Sequence, residues 1–136
     1  MLASHLRLDE RHVVRSSDGR HNILIDKELF VAILRKALAS VTVDDDWYLD
    51  RYQDVRSAIA RGEFRSAHDH FVRFGYLEGR LPYAIPVDEA FYLAHNPDVK
   101  AGIEAGALPD AATHFYMSGA SEGRLPSEGF TLFVLG

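Results

Sequence analysis

Cysteine is absent from the 136 residues, which excludes a disulfide, a thiolate metal site and a cysteine nucleophile. An excess of positive charge is missing too. Lys and Arg total 15 against 20 Asp and Glu, a formal net charge of −5. A nucleic-acid binder needs a basic face to neutralise phosphates, and binding to anionic lipid needs a polybasic patch; neither is expected. No run approaches the roughly 20 apolar residues of a membrane span. The opening stretch, residues 1–11, is broken by His5 and Arg7 before an apolar segment builds up, so it is not read as a signal peptide. The cytoplasm is the expected address, with association with a cell surface or particle left open through a route the sequence does not display. What is present is ordinary for a globular chain: 47% hydrophobic and 26% charged residues, so disorder is not expected.

The chain repeats itself. Residues 43–82 align without a gap on residues 87–126, a shift of 44, with 17 identities in 40 positions. Asp44 and Asp88 precede Trp47-Tyr48-Leu49 and Phe91-Tyr92-Leu93, and Asp there reads as the N-cap of a first short helix whose aromatic and Leu enter the core. Asp54 and Asp98 read as caps of a second, with Pro97 at its entry. Val55 and Ile59, and Val99 and Ile103, fall on one face of it at i, i+4 spacing. Gly62 and Gly106 stand where a left-handed C-cap would end it. Ser66 and Asp110 are candidate caps of a third helix, with a stripe of Ala67, His70, Phe71 and Phe74 in the first copy. Ala111, His114 and Phe115 match it in the second, with Ser118 in place of Phe74. Gly75 and Gly119 are read as its end. Glu78-Gly79-Arg80-Leu81-Pro82 and Glu122-Gly123-Arg124-Leu125-Pro126 then close each unit. Forty residues of short helix cannot bury their apolar face alone, so two copies should stack.

Outside the repeat, Val13-Val14-Arg15 and Ile23-Leu24-Ile25 flank an Asp18-Gly19 turn and predict a β-hairpin. Asp26 should cap a helix bearing Phe30, Ile33, Leu34, Ala37 and Leu38, read as the cap over the first repeat. Phe130–Leu135 has high strand propensity and should pair with the hairpin of the same chain or of a neighbouring subunit. The expected fold is therefore mainly α: an N-terminal hairpin and helix (1–42), two three-helix repeats (43–86 and 87–126), and a C-terminal strand (127–136).

Several residues invite a chemical reading. Arg80 and Arg124 with Glu78 and Glu122 could hold a polar ligand, since a guanidinium fork suits carboxylate or phosphate. The structural alternative is a clamp in which Glu and Arg fix the turn through each other and the backbone. A device present twice favours the clamp. His68 and His70 sit at i and i+2, on different helix faces, which is poor geometry for one metal ion; His70 and His114 are expected to bond a backbone carbonyl at the core edge. Asp44-Asp45-Asp46 lacks the Gly and Glu of a calcium loop. Trp47, Tyr48, Tyr52, Tyr76, Tyr83, Phe91 and Tyr92 could form a sugar platform. The repeated ones are better read as core, which leaves Tyr76 and Tyr83 as candidate surface contacts. Phe130, Leu132 and Phe133 are candidate subunit contacts. There is no phosphate-cradling loop or nucleophile elbow, and no metal or cofactor is expected.

The patterns W-Y-L-x-x-Y-x-D-V (47–55), H-F-x-x-x-G (70–75) and E-G-R-x-P (78–82), with their second copies over 91–126, resemble a helical repeat of bacterial proteins. That repeat stands beside glycosyltransferase domains, in rhamnan-synthesis-like proteins, and in secreted proteins of the calcium-binding repeat-toxin type. The resemblance spans about 80 residues and carries no catalytic residues, because the repeat is an accessory to enzymatic domains. It implies a non-enzymatic binding or adaptor module in a surface-polysaccharide or cell-envelope setting, with a protein or a glycan as partner. The alternative is a structural subunit of a larger assembly, an envelope layer or phage-like particle; self-association stays open, and a small enzyme is the third reading.

Overall fold

A computed structural model describes residues 13–15 and 23–133. The chain divides into two compact units, residues 1–40 and 41–136. Its architecture is mainly α-helical.

In the first unit, β1 (Val13–Arg15) and β2 (Ile23–Ile25) run antiparallel with Val14 opposite Leu24. Residues 16–22, including the expected Asp18-Gly19 turn, lie outside the described residues, so the hairpin as a whole is not supported. Helix α1 (Lys27–Leu38) begins where Asp26 Oδ1 accepts from the Leu29 amide at 3.0 Å. Only part of its apolar stripe is covered, since Leu38 is buried and Phe30 largely exposed.

The second unit holds both repeats. The first contains α2 (Asp45–Arg51), α3 (Gln53–Ala60) and α4 (Ala67–His70). The second contains α5 (Glu89–His95), α6 (Pro97–Glu104) and α7 (Ala111–His114). Asp44 and Asp88 cap α2 and α5 through the amides of Trp47 and Phe91, each at 3.0 Å. Ser66 and Asp110 cap α4 and α7 through Asp69 and Thr113. Gly62 and Gly106 take φ of +80° and +77° after α3 and α6, a backbone that residues with a Cβ rarely adopt.

Three local expectations are corrected. Asp54 and Asp98 are not caps: the residues at those ends are Tyr52 and Asn96, neither with a side-chain cap bond. Each Asp lies one step inside its helix, where its carboxylate is free to bond elsewhere. Of the paired aromatics opening each repeat, Tyr48 and Tyr92 are fully buried, whereas Trp47 and Phe91 are half-buried. The third helix changes form: α4 and α7 pass into π-helical turns, Phe71–Gly75 and Phe115–Gly119. There the Tyr76 amide reaches back to the Phe71 carbonyl at 3.0 Å and that of Ala120 to Phe115 at 2.9 Å. One extra residue per turn rotates the chain beyond it by about 100°.

Each repeat closes on itself. The Asp44 amide donates to the Pro82 carbonyl at 3.0 Å, and Asp88 to Pro126 at 2.9 Å. Between the repeats, Ile85 enters the second core beside Tyr92, Val99 and Phe115. Its backbone N–H and C=O both bond the Tyr116 hydroxyl at 2.6 Å. Gly79 lies against Ser121, where a Cβ would come within 3.1 Å of the serine Cβ.

The strand expected over residues 130–135 is not formed: residues 130–133 are irregular, and 134–136 lie outside the described residues. Gly129 turns the chain at φ +68°, and the Thr131 hydroxyl takes the Phe133 amide at 3.1 Å, giving the backbone a local partner in place of a ladder. Phe130 and Leu132 pack on the second core, and the Phe133 ring meets Tyr76 of the first repeat with centroids 6.1 Å apart. Burial against both repeats outweighs strand propensity here.

Candidate functional site

Tyrosine and histidine meet at the centre of each repeat. Tyr48 Oη lies 2.9 Å from His70 Nδ1, and Tyr92 Oη 2.8 Å from His114 Nδ1. The expected carbonyl partner for these histidines is thus replaced by a tyrosine hydroxyl. The glycines read as helix ends serve this pair, since a Cβ on Gly75 would overlap Tyr48 Oη and one on Gly119 would overlap Tyr92 Oη. Burial, with a smaller effect of Arg80, pushes the His70 pKa down and favours neutral imidazole. Burial also pushes the Tyr48 and Tyr92 hydroxyls up. In the first repeat, Tyr48 and His70 therefore both stay neutral near pH 7.

The closing turns form a second paired device. Arg80 grips Asp54 with both Nη atoms at 2.8 and 2.6 Å, and its Nε donates to Glu78 at 2.7 Å. Arg124 grips Asp98 at 2.8 and 2.8 Å, bonds Glu122 at 2.7 Å, and reaches Asn96 Oδ1 at 3.0 Å. The hydrogen bond from Arg80 holds the Asp54 pKa below the ordinary carboxylate range, and that from Arg124 does the same for Asp98. The partner carboxylates raise the arginine pKa values in turn. Tyr52 adds a ring under Arg80, 4.9 Å from the guanidinium carbon, and its hydroxyl accepts from the Leu81 amide at 3.0 Å.

Exposure within the clamps is uneven. The Arg80 side chain is 20% exposed and its partner Asp54 63%; Arg124 is 25% and Asp98 62%. The arginines form the inner half of each cluster and the carboxylates the outer half. Each clamp therefore exposes its carboxylates more than its arginine, while of these groups Arg80, Arg124 and Glu78 line the groove between the turns.

Between the two closing turns and the tail lies a groove of about 550 Å³, within the size range of ligand sites. Its lining is largely apolar, with Leu77, Ile85, Phe115, Leu125 and Leu132 prominent. Of the residues singled out from sequence, it gathers Arg80, Arg124, Glu78, Tyr76, Phe130, Leu132 and Phe133. Glu122 bonds Arg124 away from the lining, and Tyr83 packs on the second core instead. Sequence reasoning missed Leu77 and Ile85 because isolated apolar residues carry no motif, and it took Leu125 only as part of the closing turn. It also missed Asp54 and Asp98, although both stand 26 positions before their arginines. Among the described residues no three His, Asp or Glu side chains group as a metal site, and no helix is long and apolar enough to cross a membrane.

Comparison with family models, curated proteins and solved structures gave no match.

Proposed function

We propose that this chain is a non-catalytic binding or adaptor module in a bacterial surface-polysaccharide or cell-envelope setting, recognising a glycan or docking on polysaccharide-handling machinery. The groove between the closing turns is the observation that carries the binding part of this reading. Polar groups around it already have partners: both arginines are gripped by carboxylates, and each imidazole is engaged by a tyrosine behind the turn. General acid–base or nucleophilic chemistry needs a poised group within reach of substrate, and this constellation offers scaffold. The polysaccharide setting rests on the resemblance of the repeat.

The second reading, a structural subunit held by hairpin and tail, draws on the apolar tail. Against it, Phe130, Leu132 and Phe133 pack on their own chain. Light scattering coupled to size exclusion, together with binding to a glycan array and to purified envelope glycosyltransferase complexes, tests both. A monomer with a specific binding partner is expected. A discrete ring or large oligomer that binds none of these probes would replace the adaptor reading with the subunit reading.

A further inference from the structure

We propose that a small polar pocket where the first repeat meets the second binds one acidic sugar unit, with Arg51 taking its carboxylate and Glu78 and Ser121 its hydroxyls. This rests on the glycan branch of the binding-module reading and names its ligand chemistry. The pocket measures about 230 Å³ and its lining is more polar than apolar. It is smaller than the pockets that hold drug-sized ligands, as a site for a single sugar unit should be. It adjoins the apolar groove and shares the first closing turn with it, but Arg51, Tyr52 and Tyr116 line this pocket alone.

Arg51 ends α2 and differs from the two clamped arginines. Among the described residues no carboxylate pairs with it. Its guanidinium carbon lies 5.6 Å from the centre of the Trp47 ring, 5.8 Å from that of Tyr52 and 5.0 Å from that of Tyr116. Of its N–H donors, one reaches the Tyr116 carbonyl, at 3.5 Å. The rings hold the cation and leave its other donors unused, and a fork already held loses little freedom when it grips a carboxylate. The aligned residue of the second repeat is His95, which bonds the Phe91 carbonyl of its own helix at 2.9 Å. Arg51 is therefore no part of the closure that both repeats share.

The neighbouring groups decide what carries the carboxylate. Arg80 is neutralised by Asp54 and Glu78, so attraction rests on Arg51. Glu78 gives Oε2 to Arg80, and no described donor reaches its Oε1. The Ser121 hydroxyl donates to the Ser118 carbonyl at 2.8 Å, which leaves its oxygen as an acceptor. A ligand with one carboxylate and several hydroxyl donors satisfies both signs of the pocket. A phosphate group brings more negative charge and fewer donors to Glu78, and is disfavoured. The C-terminus of a peptide brings its carboxylate beside a side chain, for which Leu81, Met117 and Ala120 are the only apolar wall.

Titration of the whole chain with methyl glucuronide, methyl glucoside, acetate and a short peptide with a free C-terminus tests this. The readout is NMR at the Met117 methyl and the Arg51 Nε–H. The glucuronide should move both signals saturably and bind at least about tenfold more tightly than the glucoside, the loss expected for a missing charge-assisted hydrogen bond. It should also bind more tightly than acetate, which lacks the hydroxyls. Arg51→Lys keeps the charge beside the rings and loses the fork, so it should weaken glucuronide binding about tenfold while the urea midpoint holds. Ser121→Ala, which leaves the rings around Arg51 untouched, should weaken it by a smaller factor and tests the site separately if lysine disturbs the fold. Equal binding of glucuronide and glucoside overturns the inference, and so does binding of acetate or the peptide as tight as that of glucuronide. Undiminished binding by both variants overturns it too, and would leave Arg51 a purely structural tie between the repeats. A neutral oligosaccharide that shifts the Leu77 and Ile85 methyls, with Met117 unmoved by any probe, overturns it while leaving the binding-module reading standing. Glucuronide bound at Arg51 and Met117 by a chain that assembles into a ring removes the adaptor reading and leaves this inference in place.

Discussion

The two repeats hold the same Tyr–His pair in different walls. In the first, the His70 ring is met edge-on by Phe64 with centroids 4.8 Å apart, and Phe74 stands at 6.4 Å. In the second, the aligned positions are Leu108 and Ser118, and His114 is half-buried where His70 is buried. The hydrogen bond, the facing glycine and the closing clamp are nonetheless present in both. Aromatic walls are thus adjustable, whereas Tyr, His and Gly form a unit that works only together: the hydroxyl needs the imidazole to satisfy it, and the glycine gives the hydroxyl room. What the walls tune is how strongly the pair is shut off from water.

The glycines offer the harshest test. Gly75→Ala should cost about 2–4 kcal/mol, combining overpacking with a broken buried hydrogen bond. Gly119→Ala should cost less, because its pair is closer to solvent. Denaturant midpoints measure both. Adding Tyr48→Phe to Gly75→Ala should recover part of the loss, since removal of the hydroxyl makes room for the methyl; simple additivity of the two changes would show that the contact is not the cause.

Tyr48→Phe by itself should cost about 1–3 kcal/mol, because it leaves His70 Nδ1 buried without a partner. Tyr92→Phe should fall toward the lower end. An equal loss in both repeats would mean that wall composition does not matter.

Acid should sharpen the contrast further. The His70 pKa is depressed in the fold, so the unfolded chain binds the proton more readily. The stabilisation is therefore present above the ordinary histidine pKa of about 6.5 and is lost as pH falls below it. Between pH 7.5 and pH 5 the urea midpoint of the parent should drop, and His70→Gln should flatten that drop. An unchanged slope in the variant would assign the acid sensitivity to other groups.

Smaller effects are expected at the surface. Arg80→Lys and Arg124→Lys should each cost about 1 kcal/mol or less, since the two-pronged grip is lost while the exposed carboxylates remain solvated. Leu77→Ser should change stability by less than about 0.5 kcal/mol, because the second repeat already carries Ser121 there. Thermal melts suffice for these three, and a large loss from Leu77→Ser would show that the side chain supports the fold and not the groove.

Helix starts were legible in the sequence because capping is local: Asp26, Asp44, Ser66, Asp88 and Asp110 each bond an amide three residues on. The same local habit misread Asp54 and Asp98, whose partners lie 26 residues away. Their identity in both copies, with the same spacing to an identical arginine, was the available signal. Gly75 and Gly119 stand out in the sequence but read as helix ends, because a missing Cβ does not announce which distant atom fills its place. The π-helical turns left no mark in the apolar period. The tail was judged by intrinsic strand preference, whereas the cores of two repeats decided its path. Of the candidate site, its residues are partly visible in the sequence, but which half of each ion pair faces water is not, being a property of packing alone.

Closure of each repeat by a bond from its first amide to its last carbonyl has a consequence for reach. A chain that enters such a unit at Asp44 leaves beside it at Pro82, after a path of some forty residues with almost no net advance. A single such unit can therefore be inserted at a surface loop whose two ends already lie side by side. A unit of this kind carries a new surface to a host while leaving the spacing of the host's own parts nearly untouched.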